Sequence, residues 1–162
     1  MGDVTLWRIG SDTPDNAAED LAGPGAETTG GRWNRKGTPM VYASASRALA
    51  GLETLVHLGS GDLPLNRYLV AITVPDAVWA SRTKFHPATR VGWDAEPAGL
   101  VSLEWGTAWA VSGASLLADV PSVIVPEESN VLISPRHPDA AILGAVKIRK
   151  WTYDARLRTS SR

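Results

Sequence analysis

"GGRWNRKGTPMVYAS", Gly30–Ser44, and the "SRALAGLETLVHLG" behind it, Ser46–Gly59, decide how the chain is read. "PMVYAS" (Pro39–Ser44) is a β-prone run and reads as a strand. Ser46–Gly59 reads as a helix: Ser44 or Ser46 can cap its start, Ala and Leu fill it, and Gly59 can end it. Ahead of the strand, Gly30 and Gly31 permit positive φ and let a ligand come close to the backbone. Arg32 then offers a rigid fork of donors that suits a phosphate or a carboxylate. A surface arginine paired with Asp or Glu is the plainer reading, and such a pair is worth little. The loop is not a P-loop, because no GKS/T follows. It is not a dinucleotide turn either, because no strand leads in and no helix leaves.

Two neighbours of this loop carry chemistry. At roughly 100° per residue, Ala48, Leu49, Leu52, Leu55 and Val56 share one helix face, with Glu53 at its edge. A carboxylate there is partly desolvated; a boundary glutamate reaching water is the alternative. His57 follows one turn later, so a carboxylate–imidazole contact is open to it. Tyr42 shares a strand face with Met40 and reads either as a core or rim residue or as a cleft wall.

Outward from here, Val4–Ile9, Arg67–Pro75, Val131–Pro135 and Ala145–Leu157 read as strands. Arg67–Pro75 is apolar on both faces and is expected to be central. Ser115–Pro126 holds one or two short strands around Pro121. Pro97–Gly113 reads as a second helix in which Gly106 is out of place. Residues 11–31 read as a loop with one short helical turn. Strands and helices do not alternate regularly. The expected architecture is a single α+β domain over residues 1–162, with a mixed or antiparallel sheet and flanking helices.

Composition sets limits on function. A net charge of −1 argues against a general nucleic-acid coat or a membrane-surface binder. No apolar run approaches the roughly 18–20 residues that span a bilayer. "MGDVTLWRIG" lacks the basic and apolar regions of a secretory signal. Without cysteine there is no disulfide, thiolate nucleophile or Cys-based metal site, which fits a cytoplasmic protein. His57, His86 and His137 show no ligand spacing, so no metal is expected. Seven Trp against one Phe read as core filling, or as a stacking site if they gather near polar loops.

Three further positions stay open. Trp7 and Arg8 leave their strand on opposite faces, so one can pack while the other reaches a cleft. Ser122 has no GxSxG around it and reads as a turn serine or a ligand contact, while Asn130 closes a polar loop. "IRKWTYDAR" can imitate a nucleic-acid surface but reads more simply as a solvated strand face.

Taken in order, "LWRI" (Leu6–Ile9), Gly25–His57, "VPSVIVPEESNVLISPRHP" (Val120–Pro138) and "YDARL" (Tyr153–Leu157) resemble the RES-domain family, named for an Arg, a Glu and a Ser. The resemblance covers nearly the whole chain and implies an ADP-ribosyltransferase-like fold. It also implies a bacteriostatic toxin of a type II toxin–antitoxin pair, acting in the cytoplasm. Such a toxin degrades NAD+ at the nicotinamide–ribose bond by hydrolysis or phosphorolysis. Transfer of ADP-ribose to a protein is the alternative the family offers. The implied partner is an Xre-type helix-turn-helix antitoxin that blocks the active site, with DNA met only through it. NAD+ is a substrate, inorganic phosphate a potential co-substrate, and no other cofactor is implied.

Carried over by residue, Arg32 and Arg8 look like anchors for the dinucleotide's phosphates and ribose, and Tyr42 like the wall against nicotinamide. Glu53 looks like the catalytic carboxylate, Ser122 like its polar partner at the ligand, and Asn130 like a further binding position. Residues 84–106 match only loosely and receive no role. A non-enzymatic binding module using the basic C-terminal strand is a third reading, weakened by the near-neutral charge.

Overall fold

A computed structural model describes residues 2–58 and 63–157. In chain order the elements are β1 (Val4–Ser11), α1 (Pro24–Thr29), β2 (Val41–Ser44), α2 (Arg47–Leu55), β3 (Arg67–Val74) and α3 (Asp76–Ala80). Then come β4 (Thr83–Lys84), α4 (Leu100–Ser112), β5 (Leu117–Pro121), β6 (Ser129–Ile133) and β7 (Gly144–Lys150). The strands form one sheet in the order β4–β5–β6–β2–β1–β3–β7. Every pairing is antiparallel except β4–β5, so the sheet is mixed and the α+β expectation holds.

The alternation of side chains along the central strands feeds two cores. Val41, Ala43, Val131, Ile133 and Leu117 point to one face, where they pack with Leu6, Val70, Ile72 and Val74. Met40, Leu132, Ala118 and Val120 point to the other, against Trp33, Phe85, Trp93 and Trp109. The tryptophans are thus chiefly core residues: Trp33 meets Phe85 edge-on at 4.9 Å and Trp105 at 5.8 Å between ring centroids. A smaller cluster of Ile9, Ala50 and Leu69 seats α2 on β1 and β3.

β1 and β2 meet at one registered pair only, Trp7↔Ser44, whereas β1 and β3 pair along eight residues. The sheet is therefore barely closed between β1 and β2.

Several boundaries differ from the sequence reading. The helix capped by Ser46 ends at Leu55, and its expected stop at Gly59 lies outside the described residues. Its buried residues are Leu49, Ala50 and Gly51, while Ala48 and Val56 are exposed. Ala50 packs against Ile9 and Leu69 of the sheet, and Gly51 makes room for the Trp151 ring, to which a Cβ there would come within 2.6 Å. β3 is interior rather than central, between β1 and the edge strand β7. Ser115–Pro126 yields one strand, which Pro121 ends because proline offers no further ladder N–H. β7 stops at Lys150; Trp151 then turns in, its N–H donating to the Arg67 carbonyl at 2.9 Å. α3 and β4 had no signal strong enough to read.

Gly106, out of place in the sequence, is required by packing. A Cβ there would stand 2.0 Å from the Trp33 carbonyl oxygen. α4 thus lies directly on the "GGRWN" loop.

Candidate active site

Gly30, Gly31, Arg32, Tyr42, Glu53 and Asn130 line one open cleft of about 450 Å³, together with Trp7, Arg8 and His57. The cleft opens where β1 and β2 part, with α2 along one side. Ala50, Glu53, Thr54 and His57 all line it, at the i, i+3, i+4, i+7 spacing of a single helix face. The side of α2 read as an apolar edge is the side that carries the carboxylate inward.

Glu53 is held by two donors on one oxygen. Ser122 Oγ donates to its Oε1 at 2.6 Å, and Asn130 Nδ2 donates to the same atom at 2.7 Å. No side chain or backbone group among the described residues bonds Oε2. Charge-assisted bonds of this kind are roughly twice as strong as neutral ones. Their convergence fixes the carboxylate and leaves one oxygen for a ligand.

Ser122 itself is a correction. It is 0% exposed and is not part of the cleft wall. Its hydroxyl accepts from the Ile124 and Val125 amides at 3.1 Å and donates to Glu53. It therefore touches a ligand only through the carboxylate, so the direct contact expected for it is not available. The amides of the turn after Pro121 orient the hydroxyl.

The "GGRWN" loop is fixed from within. Asn34 is 0% exposed, and its Nδ2 donates to the carbonyls of Ala26 and Thr38 at 2.8 and 3.0 Å. Its Oδ1 accepts from the Tyr42 hydroxyl at 2.5 Å, and that hydroxyl accepts from the Trp33 N–H at 3.1 Å. Burial is the main reason the Tyr42 phenol is pushed up, with the Trp33 amide and the Arg32 charge offsetting part of the rise. Tyr42 thus stays neutral, its ring in the cleft wall and its oxygen spent on the loop. Gly31 lies beneath that oxygen: a Cβ on it would fall 2.6 Å from Tyr42 Oη and 2.9 Å from Asn34 Oδ1.

Arg32 is aimed by a segment that the sequence left without a role. Its Nη1 donates to the carbonyls of Trp93 and Ala95 at 3.3 and 2.8 Å. Its Nη2 meets Glu96 Oε2 at 2.8 Å, a carboxylate whose side chain is 77% exposed. Backbone carbonyls leave no mark in a sequence, which is why residues 84–106 were silent. Nε and the second Nη2 hydrogen have no partner among the described residues, and Glu96 is mostly exposed.

Arg8 reaches the cleft wall from the other side of the β1–β2 boundary. Its Nη1 donates to the Tyr42 carbonyl at 3.1 Å, supplying a cross-strand bond that the sparse ladder lacks. Its Nε is buried with no hydrogen-bond partner among the described residues. Burial, and then the Arg67 charge, pull its guanidinium below the ordinary arginine value, with the Asp20 charge offsetting part of the fall. A buried donor without a partner is costly, and a ligand acceptor would relieve it.

Two positions left open by the sequence take their plainer form. His57 makes no hydrogen bond or ion pair with Glu53; it is exposed, and Glu53 Oε1 is already filled. The basic residues of "IRKWTYDAR", Arg149, Lys150 and Arg156, lie on an exposed strand end, the simpler of the two readings: Arg156 pairs with Asp154, and Arg149 lies over the Trp151 ring. Among the described residues no helix is long and apolar enough to cross a membrane.

A carboxylate held from behind, two arginines and a tyrosine ring thus line one cleft on a mixed α+β sheet. The sequence profile of the RES domain matches residues 5–156, and the chain belongs to the RES-domain family, whose fold is ADP-ribosyltransferase-like. A Sphingobium protein named Prs ADP-ribosylating toxin is 58% identical over 155 residues, 95% of this chain and 96% of its own. Proteins named Toxin Res are similar too. That of Pseudomonas putida is 38% identical over 95% of this chain and 99% of its own length. That of Yersinia enterocolitica is 36% identical over 87% and 92%.

Proposed function

We propose that this chain is a toxin enzyme that takes NAD+ into the cleft, breaks the nicotinamide–ribose bond and passes ADP-ribose to a protein. The observation that carries the chemical step is the Glu53 carboxylate, held through Oε1 with Oε2 left free. As the bond breaks, its electron pair goes to the nicotinamide nitrogen. Nicotinamide leaves neutral, so no general acid is needed. Positive charge builds on the ribose, as in glycoside hydrolysis. A carboxylate beside it stabilises that charge and can hold the 2′-hydroxyl, a contribution of a few kcal/mol in a site shielded from water. Arg8 and Arg32 complement the pyrophosphate, and the Tyr42 ring stands against the nicotinamide. Protein as the acceptor is supported by the similarity to the Sphingobium toxin, whose name makes it an ADP-ribosylating enzyme acting on Prs.

NAD+ degradation is the second reading, and one feature favours it. Glu53 is the only acidic residue in the described cleft wall. A neutral acceptor must lose a proton, and the one carboxylate is already engaged with the ribose. Inorganic phosphate arrives as an anion and needs no base, which suits phosphorolysis. NAD+ labelled in its adenylate half separates the readings. Label on a protein in lysate supports transfer; free ADP-ribose or its phosphate supports degradation; intact NAD+ with both acceptors present refutes both.

The same proposal includes a cytoplasmic site of action and an Xre-type helix-turn-helix antitoxin that covers the open cleft. Co-expression with a small Xre-type helix-turn-helix protein encoded beside the toxin gene, should the neighbouring reading frame prove to be one, is expected to relieve toxicity and to block NAD+ turnover in the purified complex. Arg32→Ala is expected to raise the KM for NAD+ about tenfold, the loss of one charge-assisted contact, with kcat changed less. An unchanged KM would remove Arg32 from the binding role.

A further inference from the structure

Ser44 was one of two candidate caps for α2, but the cap is Ser46, whose hydroxyl accepts from the Leu49 N–H at 3.1 Å. Ser44 is the last residue of β2, 3% exposed, and its register places it between Asn130 of β6 and Trp7 of β1. It therefore stands at the one registered pair that joins β1 to β2, at the floor of the cleft. Its Oγ donates to Asn130 Oδ1 at 2.7 Å. At the other end of that amide, Nδ2 donates to Glu53 Oε1, also at 2.7 Å.

We infer that Ser44 is a positioning residue for Glu53: through the Asn130 amide it holds the carboxylate with Oε1 engaged and Oε2 turned to the substrate. The inference rests on the proposed role of Glu53 at the ribose. Its logic is one of donors and acceptors. An ionised carboxylate only accepts, so the amide nitrogen must face it. The amide oxygen then points the other way and needs a donor. Ser44 is the residue that the β2–β6 register delivers there. The three groups form a directed chain, hydroxyl to amide to carboxylate, in which each bond polarises the next.

With alanine at 44 the amide oxygen loses its partner. The Asn side chain turns on a broad, two-fold torsion, so the amide is no longer held square to Glu53. Ser122 then holds Oε1 alone, and the carboxylate can swing. Ser44 acts only through Asn130, which separates it from a residue that binds NAD+ or merely fills the core.

The test is steady-state NAD+ turnover by the full chain with Ser44→Ala, Ser44→Thr, Asn130→Ala and the Ser44→Ala/Asn130→Ala pair. Ser44→Ala is expected to lower kcat about tenfold with KM unchanged, because ground-state binding is not its task. Ser44→Thr, which keeps the hydroxyl, is expected to recover most of that loss. In the Asn130→Ala background, Ser44→Ala is expected to change kcat by less than about twofold. A rise in KM at constant kcat overturns the inference, and so do fully multiplicative losses in the double variant.

A second measurement needs no NAD+. The side-chain amide signals of Asn130 in a ¹H–¹⁵N spectrum are expected to shift in Ser44→Ala while those of Asn34 and Asn66 stay in place. If the wild-type chain consumes no NAD+, the proposed function fails, and these signals still decide the positioning: an unmoved Asn130 amide overturns it.

Discussion

Glu53→Gln is expected to leave the protein folded and to cut NAD+ turnover by about 10³-fold, in the range seen when a group that stabilises transition-state charge is removed. The substitution is nearly isosteric, and its carbonyl oxygen can replace Oε1. Ser122 and Asn130 can both still donate to it, as they do at 2.6 and 2.7 Å. What changes is the free side, where an amide –NH₂ replaces a charged oxygen. The local hydrogen bonding is preserved while the ribose faces a donor instead of an anion. Thermal unfolding within a degree or two of wild type, together with the loss of nicotinamide release, is the expected pair of results. Retained activity in Glu53→Gln would end the catalytic assignment.

Gly106→Ala is expected to have the largest effect on stability. The added methyl would need to occupy space 2.0 Å from the Trp33 carbonyl oxygen and 2.8 Å from its carbonyl carbon. Both obstacles are backbone, so no side chain can rotate away. α4 must move off the loop, or the loop off the aromatic cluster of Trp33, Phe85, Trp93 and Trp105. Overpacking of this kind costs about 3 kcal/mol at the upper end of the usual range. For a domain of this size that is a fall in Tm of roughly 6–12 °C. Thermal unfolding followed by circular dichroism measures it; an unchanged Tm would mean that the contact between α4 and Trp33 is far looser than described. NAD+ binding is expected to suffer as well, because the loop that α4 supports also carries Arg32.

The elements with strong local patterns were legible in the sequence. β1, β2, β3, β6 and α2 follow from β-prone runs, a serine cap and an apolar helix interior. The irregular alternation of strands and helices points to a mixed or antiparallel sheet, and the short parallel β4–β5 pair makes it mixed. What the sequence hid is what depends on pairing between distant residues. Leucine spacing alone misplaces the buried face of α2: Ala50 packs on Ile9 and Leu69, and Gly51 admits the ring of Trp151, a residue distant in sequence. Glu53 was still marked, since its place at the edge of the apolar face survives a rotation of that face. Arg32 was marked by its neighbours Gly30 and Gly31, but the carbonyls of Trp93 and Ala95 that aim it carry no sequence signature. Ser122 was singled out for contact with the ligand and turns out to stand behind the carboxylate. Ser44 had a faint signal, a small polar residue closing an apolar strand. Only the β2–β6 register shows what it faces.

The fit of Gly31 beneath the Tyr42 hydroxyl has a genetic consequence. Almost every non-silent change to a glycine codon installs a side chain, and the first atom of any side chain here collides with the phenol oxygen and Asn34 Oδ1. A family of toxins selects strongly for cells in which the toxin is broken. Survivors of unrestrained expression are therefore expected to carry lesions at Gly31 and Gly106 alongside Glu53. Sequencing such survivors would map the close packing that holds the cleft without a single purified protein.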